Sequence, residues 1–178
     1  MSLGQGLAIT DLGVKVFDAV VAHYAAAGPP VTALPARRYI AAGDAIVVPW
    51  DCEQFTVSCQ AIGYGPAPDA GTLSAQAGGN YSVAGVRHAV FAAQLVRCVT
   101  TTPDNADFPP VAPMHADGLR SLRDSGMLSQ ALTELASRMR QGLGRGVQIQ
   151  TGDVVPVGPE GGFMALVAGF TVTAGDLV

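Results

Sequence analysis

The residues of this chain that could do chemistry are few. They include Cys52, Cys59 and Cys98, the histidines His23, His88 and His115, and carboxylates such as Asp51, Glu53, Glu134, Asp153 and Glu160, scattered far apart. Two of the cysteines flank one stretch, PWDCEQFTVSCQ, residues 49–60. Cys52 and Cys59 lie seven residues apart, and an odd spacing along a strand sends side chains to opposite faces, where they cannot share an ion. Cys59 and Cys98 can meet across neighbouring strands, but no CxxC pair or HxxxH pair accompanies them. The three therefore read as small, apolar packing residues, with a structural disulfide as the other reading. No GxSxG elbow is present, and no cysteine sits in an electropositive turn that would activate its thiol. GLGRG at 142–146 is glycine-rich but ends a helical pattern, whereas a dinucleotide cradle follows a strand and opens a helix. The carboxylates are too dispersed to suggest an acid–base pair. We expect no catalytic residue, no metal ligand and no cofactor. One assembly in space stays open: a small-molecule-binding protein or enzyme with a pocket lined by His88, Cys98 and the loop at 64–85.

The elements that position these residues come from a chain of 178 residues, a length for a single domain, 1–178. Such a chain buries roughly 70% of its unfolded surface and needs no metal or disulfide to fold. Charged residues are 13% of the whole and glycines number 22, against usual shares near 25% and 7%. Low charge has two readings: surface covered by other subunits, since interface cores are poor in charge, or an alanine-rich translation of a GC-rich genome. A net charge of −4 disfavours a protein that grips nucleic acid, which needs a basic footprint. No run approaches 18 apolar residues, so no membrane span is expected. MSLGQGLAITDLG lacks the basic and apolar blocks of a signal peptide. The expected compartment is the cytosol, with all three cysteines reduced.

Periodicity places the elements. Val14, Phe17, Val20, Val21 and Tyr24 form one helical stripe, with Thr10 or Asp11 as its cap and Gly28-Pro29-Pro30 as its end. RRYIAAGDAIVV, 37–48, suits one or two short strands around a turn. In the strand over about 53–63, Phe55, Val57, Cys59 and Ala61 alternate with Gln54, Thr56, Ser58 and Gln60. Residues 64–85 are too rich in Gly, Ala, Pro and Ser to hold a core. VRHAVFAAQLVRCVTTT, 86–102, is apolar on both faces, the mark of a central strand, paired with the preceding one as an antiparallel hairpin. A proline-stiffened connector, 103–113, leads to a long helix over about 116–142 on Leu119, Leu122, Leu128, Leu132, Leu135, Met139 and Leu143, with a break or kink allowed at Gly126. GVQIQTGDVVPVG and FMALVAGFTVTA, 163–174, are strands joined by GPEGG at 158–162, with Met164, Leu166, Ala168, Phe170 and Val172 on one face. The predicted fold is α+β: a mostly antiparallel sheet of about four to six strands, two amphipathic helices packed on it, and a long insertion at 64–85.

Some features suit association. The alternating row Gln54, Thr56, Ser58 and Gln60 is uncharged and hydrogen-bonding, fit for a solvated face or a subunit contact. Arg37 and Arg38 form a small basic spot, and the turn Pro159-Glu160-Gly161 places a carboxylate at a rim or simply closes a hairpin.

The order of these motifs resembles the tail terminator proteins of long-tailed actinobacterial bacteriophages. The resemblance rests on an N-terminal amphipathic helix, then CEQFTV (52–57), a long loop, FAAQLVRCV (91–99), a proline-rich connector, a leucine helix, and PVGPEGG (156–162) leading into an apolar strand. It spans most of residues 10–174 and departs from the pattern in the Gly/Ala loop and in the start of the second helix, which lacks aromatics. Those departures leave open a sister role at the neck, as a head–tail connector or stopper subunit. The resemblance implies a hexameric ring of this chain on the end of the tail tube, in the virion. There it would stop tube growth and meet the head-completion proteins while genomic DNA passes through the centre, with no cofactor and no membrane. A mildly acidic lumen would let DNA slide, because adhesion requires cationic groups.

Overall fold

The computed structural model describes residues 8–28, 33–41, 53–64, 87–102, 110–142, 147–160 and 162–175, and of Glu160 only the backbone. Its elements run α1 (Ile9–Ala27), β1 (Arg38–Ala41), β2 (Gln54–Tyr64), β3 (Arg87–Cys98), α2 (Val111–Gly142), β4 (Gln148–Glu160) and β5 (Phe163–Ala174). The five strands make one sheet in the order β1-β2-β3-β5-β4. Only β1 and β2 are parallel; the other neighbours are antiparallel. This is the expected α+β fold, two helices packed on a mostly antiparallel sheet. Within 37–48, β1 is the described strand, and the remainder, like most of the 64–85 insertion and 103–109, lies outside the described residues.

β3 is central, as its two apolar faces require. All of it from His88 to Arg97 is buried. One face carries Ala89, Phe91, Ala93 and Leu95, aligned with Phe55 and Val57 of β2 and with Leu166, Ala168, Phe170 and Val172 of β5. The helices lie on this face. Leu12, Val16, Val20 and Tyr24 of α1 and Leu128, Ala131, Leu132, Leu135 and Met139 of α2 complete the core with them. At about 25 cal/mol per Å2 of apolar area, this layer is the main source of stability. The opposite face of the sheet is also buried: Thr56, Ser58, Val90, Ala92, Gln94, Val96, Ala165 and Thr171 all have under a tenth of their surface exposed.

Several boundaries differ from expectation. α1 is capped by Ala8 with no side-chain bond, so Thr10 and Asp11 sit inside the first turn, where Asp11 still meets the positive end of the helix dipole. Its buried stripe is rotated toward Leu12 and Val16, and Val14 is exposed. Gly28 ends α1 at φ +61°, a left-handed exit that glycine makes without strain. α2 begins at Val111, inside the stretch read as connector, because Pro113 falls in the first turn, where its missing N–H costs no hydrogen bond. α2 runs unbroken through Gly126. In β2 the alternation changes phase. Cys59 aligns with Phe91 and Ala61 with Val90, leaving Gln60 as the extra residue of a bulge. Ala61 therefore joins the face of Thr56, and Cys59 keeps its place against the core. β3 stops at Cys98, so Val99 is no longer part of its inward row.

Candidate functional site

The inward row of β3, 89-91-93-95, ends on a charge. Arg97 occupies the next position on the helix-facing side and is only 2% exposed. Its guanidinium makes four hydrogen bonds to three partners. Nε donates to Asp124 Oδ2 at 2.9 Å and Nη2 to Asp124 Oδ1 at 3.3 Å, a forked pair. Nη2 also donates to the Ala33 carbonyl at 3.0 Å, and Nη1 lies 3.4 Å from Glu53 Oε2. The Tyr24 hydroxyl, from α1, sits 3.0 Å from Asp124 Oδ1. A charge taken this far from water persists only when its donors are satisfied. Here they are.

From Glu53 the network continues outward. Arg120 reaches Glu53 Oε1 at 3.3 Å, Asp117 Oδ1 at 2.9 Å and the Cys98 carbonyl at 2.6 Å. Asp117 in turn accepts from the Thr100 amide and hydroxyl at 2.7 and 2.6 Å. Two guanidiniums and three carboxylates thus tie α1, α2, the entry to β2 and the exit of β3 to one another. Every carboxylate in this group already faces a cation, so the arrangement holds elements in register. Its electrostatics bear this out. Burial, then the Asp124 charge, drives the Tyr24 phenol far above its usual range. The hydrogen bond from Thr100, with Arg120 beside it, holds the Asp117 carboxyl below the usual carboxylate range.

Next to this network lies an apolar groove of about 500 Å3 between the start of α2 and the β3 and β5 ends. Met114, Leu119 and Leu122 of α2 line it, with Val99, Pro159 and Met164 across from them. Asp117 belongs to both the groove and the network.

The residues singled out in the sequence fall in different places. Gln54, Thr56 and Ser58 are buried within the chain itself, Gln54 wholly so. A neighbour would have to displace their cover to touch them. Thr56 Oγ1 is 3.5 Å from Gln94 Oε1, and Gln54 Oε1 accepts from the Tyr39 hydroxyl at 3.3 Å. Gln60 is half-buried, while Arg37, Arg38 and Pro159 are exposed. The side chain of Glu160 and all of Gly161 lie outside the described residues, as do Trp50, Asp51 and Cys52. His88 and Cys98 sit at opposite ends of β3, roughly 30 Å apart at the strand rise, so they do not line one pocket. His88 instead packs over Gly63, where an added Cβ would come within 2.7 Å of its ring. His23 Nδ1 is 3.4 Å from Glu134 Oε2 across the two helices, and His115 lines the groove.

Cys98 departs from the expectation of three reduced thiols: it is disulfide-bonded. Cys59 is a free thiol, half-buried, and burial pushes its pKa up, which keeps it protonated and unreactive at neutral pH. Among the described residues no group of three or more His, Cys, Asp or Glu is placed to hold a metal ion. Nor is any described helix long and apolar enough to cross a membrane.

Comparison of the chain with protein families and with curated proteins gives no match. Sequence reasoning overlooked Arg97, Asp124, Arg120, Asp117 and Tyr24 as a unit. A signal was there: Arg97 continues the inward phase of an apolar strand, and Asp124 shares the helical phase of Leu128, Ala131 and Leu135.

Proposed function

We propose that this chain is a structural ring subunit of a bacteriophage neck, closing the tail tube and joining it to the head-completion proteins. One observation supports association in particular. Large apolar side chains are exposed at both ends of the sheet: Ile62 and Tyr64, each 59%, beside the start of β3, and Met114 at 48% with Leu122 at 72% beside its end. These are two different patches, roughly 35–40 Å apart along a 12-residue strand. Head-to-tail contact between copies spends two unlike patches and closes into a ring when the rotation permits. The low charge of the chain has the same explanation. The net charge of −4 suits a lumen that DNA passes without adhering.

Purified chain mixed with tail tubes of the same phage, followed by light scattering and electron microscopy, tests this. The expected result is a ring of density on one end of each tube and a halt in tube growth. Failure to associate with tube ends, together with binding to isolated heads, would move the chain to the sister role of connector or stopper. Failure with both would end the neck reading.

A further inference from the structure

We infer that residues 111–123 of α2 are a releasable arm, which can swing off the sheet and open the groove while the rest of the helix stays docked. α2 has 32 residues, and its first buried side chain is Asp124, so the 13 residues before it contribute nothing to the core. Val111 is 82% exposed, and Met114, Leu119 and Leu122 present apolar surface rather than burying it. From Met127 onward the same helix is anchored by Leu128, Ala131, Leu132, Leu135, Ala136 and Met139.

What holds the arm is polar. Asp117 is tied to Thr100, Arg120 to Glu53 and the Cys98 carbonyl, and the Ser121 hydroxyl lies 3.8 Å from Met164 Sδ. These groups are partly exposed, and water competes for each of them. Beneath the arm is the groove, about 500 Å3. The arm therefore rests on the body at a row of clasps along its edge, above space that it does not fill.

A glycine completes the device. Gly118 lies within the arm, whereas Gly126 stands two residues past Asp124, in the anchored half. A Cβ added at either would meet nothing within 4 Å, so no close approach requires glycine there. Glycine is the least helix-favouring residue after proline, because it loses the most backbone freedom on ordering. A helical segment with little packing and a glycine inside it opens locally more easily than one locked in a core. Opening that stops ahead of Asp124 would keep the Arg97–Asp124 pair in place and bare Val99, Met164 and the apolar faces of Leu119 and Leu122. None of this depends on the ring reading, since the device is internal to one chain.

Native-state hydrogen exchange on the full-length chain, read by mass spectrometry at neutral pH, tests it. Amides of 114–123 should exchange at least about a hundredfold faster than those of 128–139, as separate opening units do. The variant Gly118→Ala should slow the arm by roughly fivefold and leave 128–139 unchanged. Thr100→Val should speed the arm selectively. If 114–123 exchanges at the rate of 128–139 in the unaltered protein, α2 is one rigid unit and the inference fails. It fails equally if Gly118→Ala leaves arm exchange where it was.

Discussion

Arg97 of β3 and Asp124 of α2, 27 positions apart, form a forked ion pair at 2.9 and 3.3 Å with 2% and 1% of their side chains exposed. The pair sits where the apolar layer between sheet and helices ends and the polar network begins. A leucine pair at this height would tolerate small rotations of α2. A forked guanidinium–carboxylate pair does not, because both hydrogen bonds require one plane. Its contribution is thus to position as much as to stabilise, since the cost of desolvating two charges offsets much of their attraction.

Removing one partner should be far worse than removing both. Arg97→Met leaves Asp124 buried without its cation and is expected to cost roughly 3–5 kcal/mol. Arg97→Met combined with Asp124→Leu should recover a large part of that loss. Urea unfolding of the two variants decides the point. Strictly additive losses would show that the two residues do not act as a pair.

Tyr24 ties the same carboxylate to α1, and its phenol is raised above its ordinary value by burial first and by Asp124 second. A raised folded-state pKa means that the stability is fully present below the unfolded value, near 10. It is lost as pH rises beyond that, when the unfolded chain ionises and the folded one resists. Thermal melting should therefore fall steeply above about pH 10. Tyr24→Phe should flatten that fall while costing about 1–2 kcal/mol at neutral pH through the lost hydrogen bond. A variant with an unchanged alkaline slope would contradict this.

Asp117 titrates in the other direction. The Thr100 hydroxyl and the Arg120 charge hold its carboxyl low, so its contribution is present above the unfolded value near 4 and disappears as pH falls through the folded one. Circular dichroism melts between pH 2 and 6 should show a loss of helix below about pH 4 that is weaker in Asp117→Asn. The neutral asparagine cannot lose a charge, so equal acid sensitivity in both proteins would argue against this role.

Two leucines on one helix make a sharp contrast. Leu132 is 1% exposed and Leu122 is 72% exposed. Leu132→Asp buries an uncompensated charge and should unfold the chain. Leu122→Asp should stay within about 0.5 kcal/mol of the parent. Denaturation of both variants places the edge of the core along α2. A severe loss in both would mean that the arm is packed after all.

Much of the architecture could be read from spacing. Period two over 86–102 and apolar groups on both faces identified the central strand, and the inward row of Leu166, Ala168, Phe170 and Val172 was legible residue by residue. Those patterns are local: each side chain's direction follows from its neighbours' count along the backbone. The candidate site was not legible, because it is built from Tyr24, Glu53, Arg97, Asp117, Arg120 and Asp124, which lie on three elements and on the residue just before β2. No local period links positions 24 and 124. The row Gln54, Thr56 and Ser58 failed as a guide to the surface for a related reason: alternation says which face a residue takes, and says nothing about what covers that face.

What the sequence determined by itself, then, was the set of elements, the inward faces of β3 and β5 and the α+β class, since these rest on backbone periodicity and on where glycine and proline are tolerated. The tertiary structure alone decided that Gln60 bulges, that the charge of Arg97 is spent on α2, and that the first 13 of the 32 residues of α2 add nothing to the core. Those outcomes depend on how far one element extends over another, a length comparison made in space between residues remote in the chain.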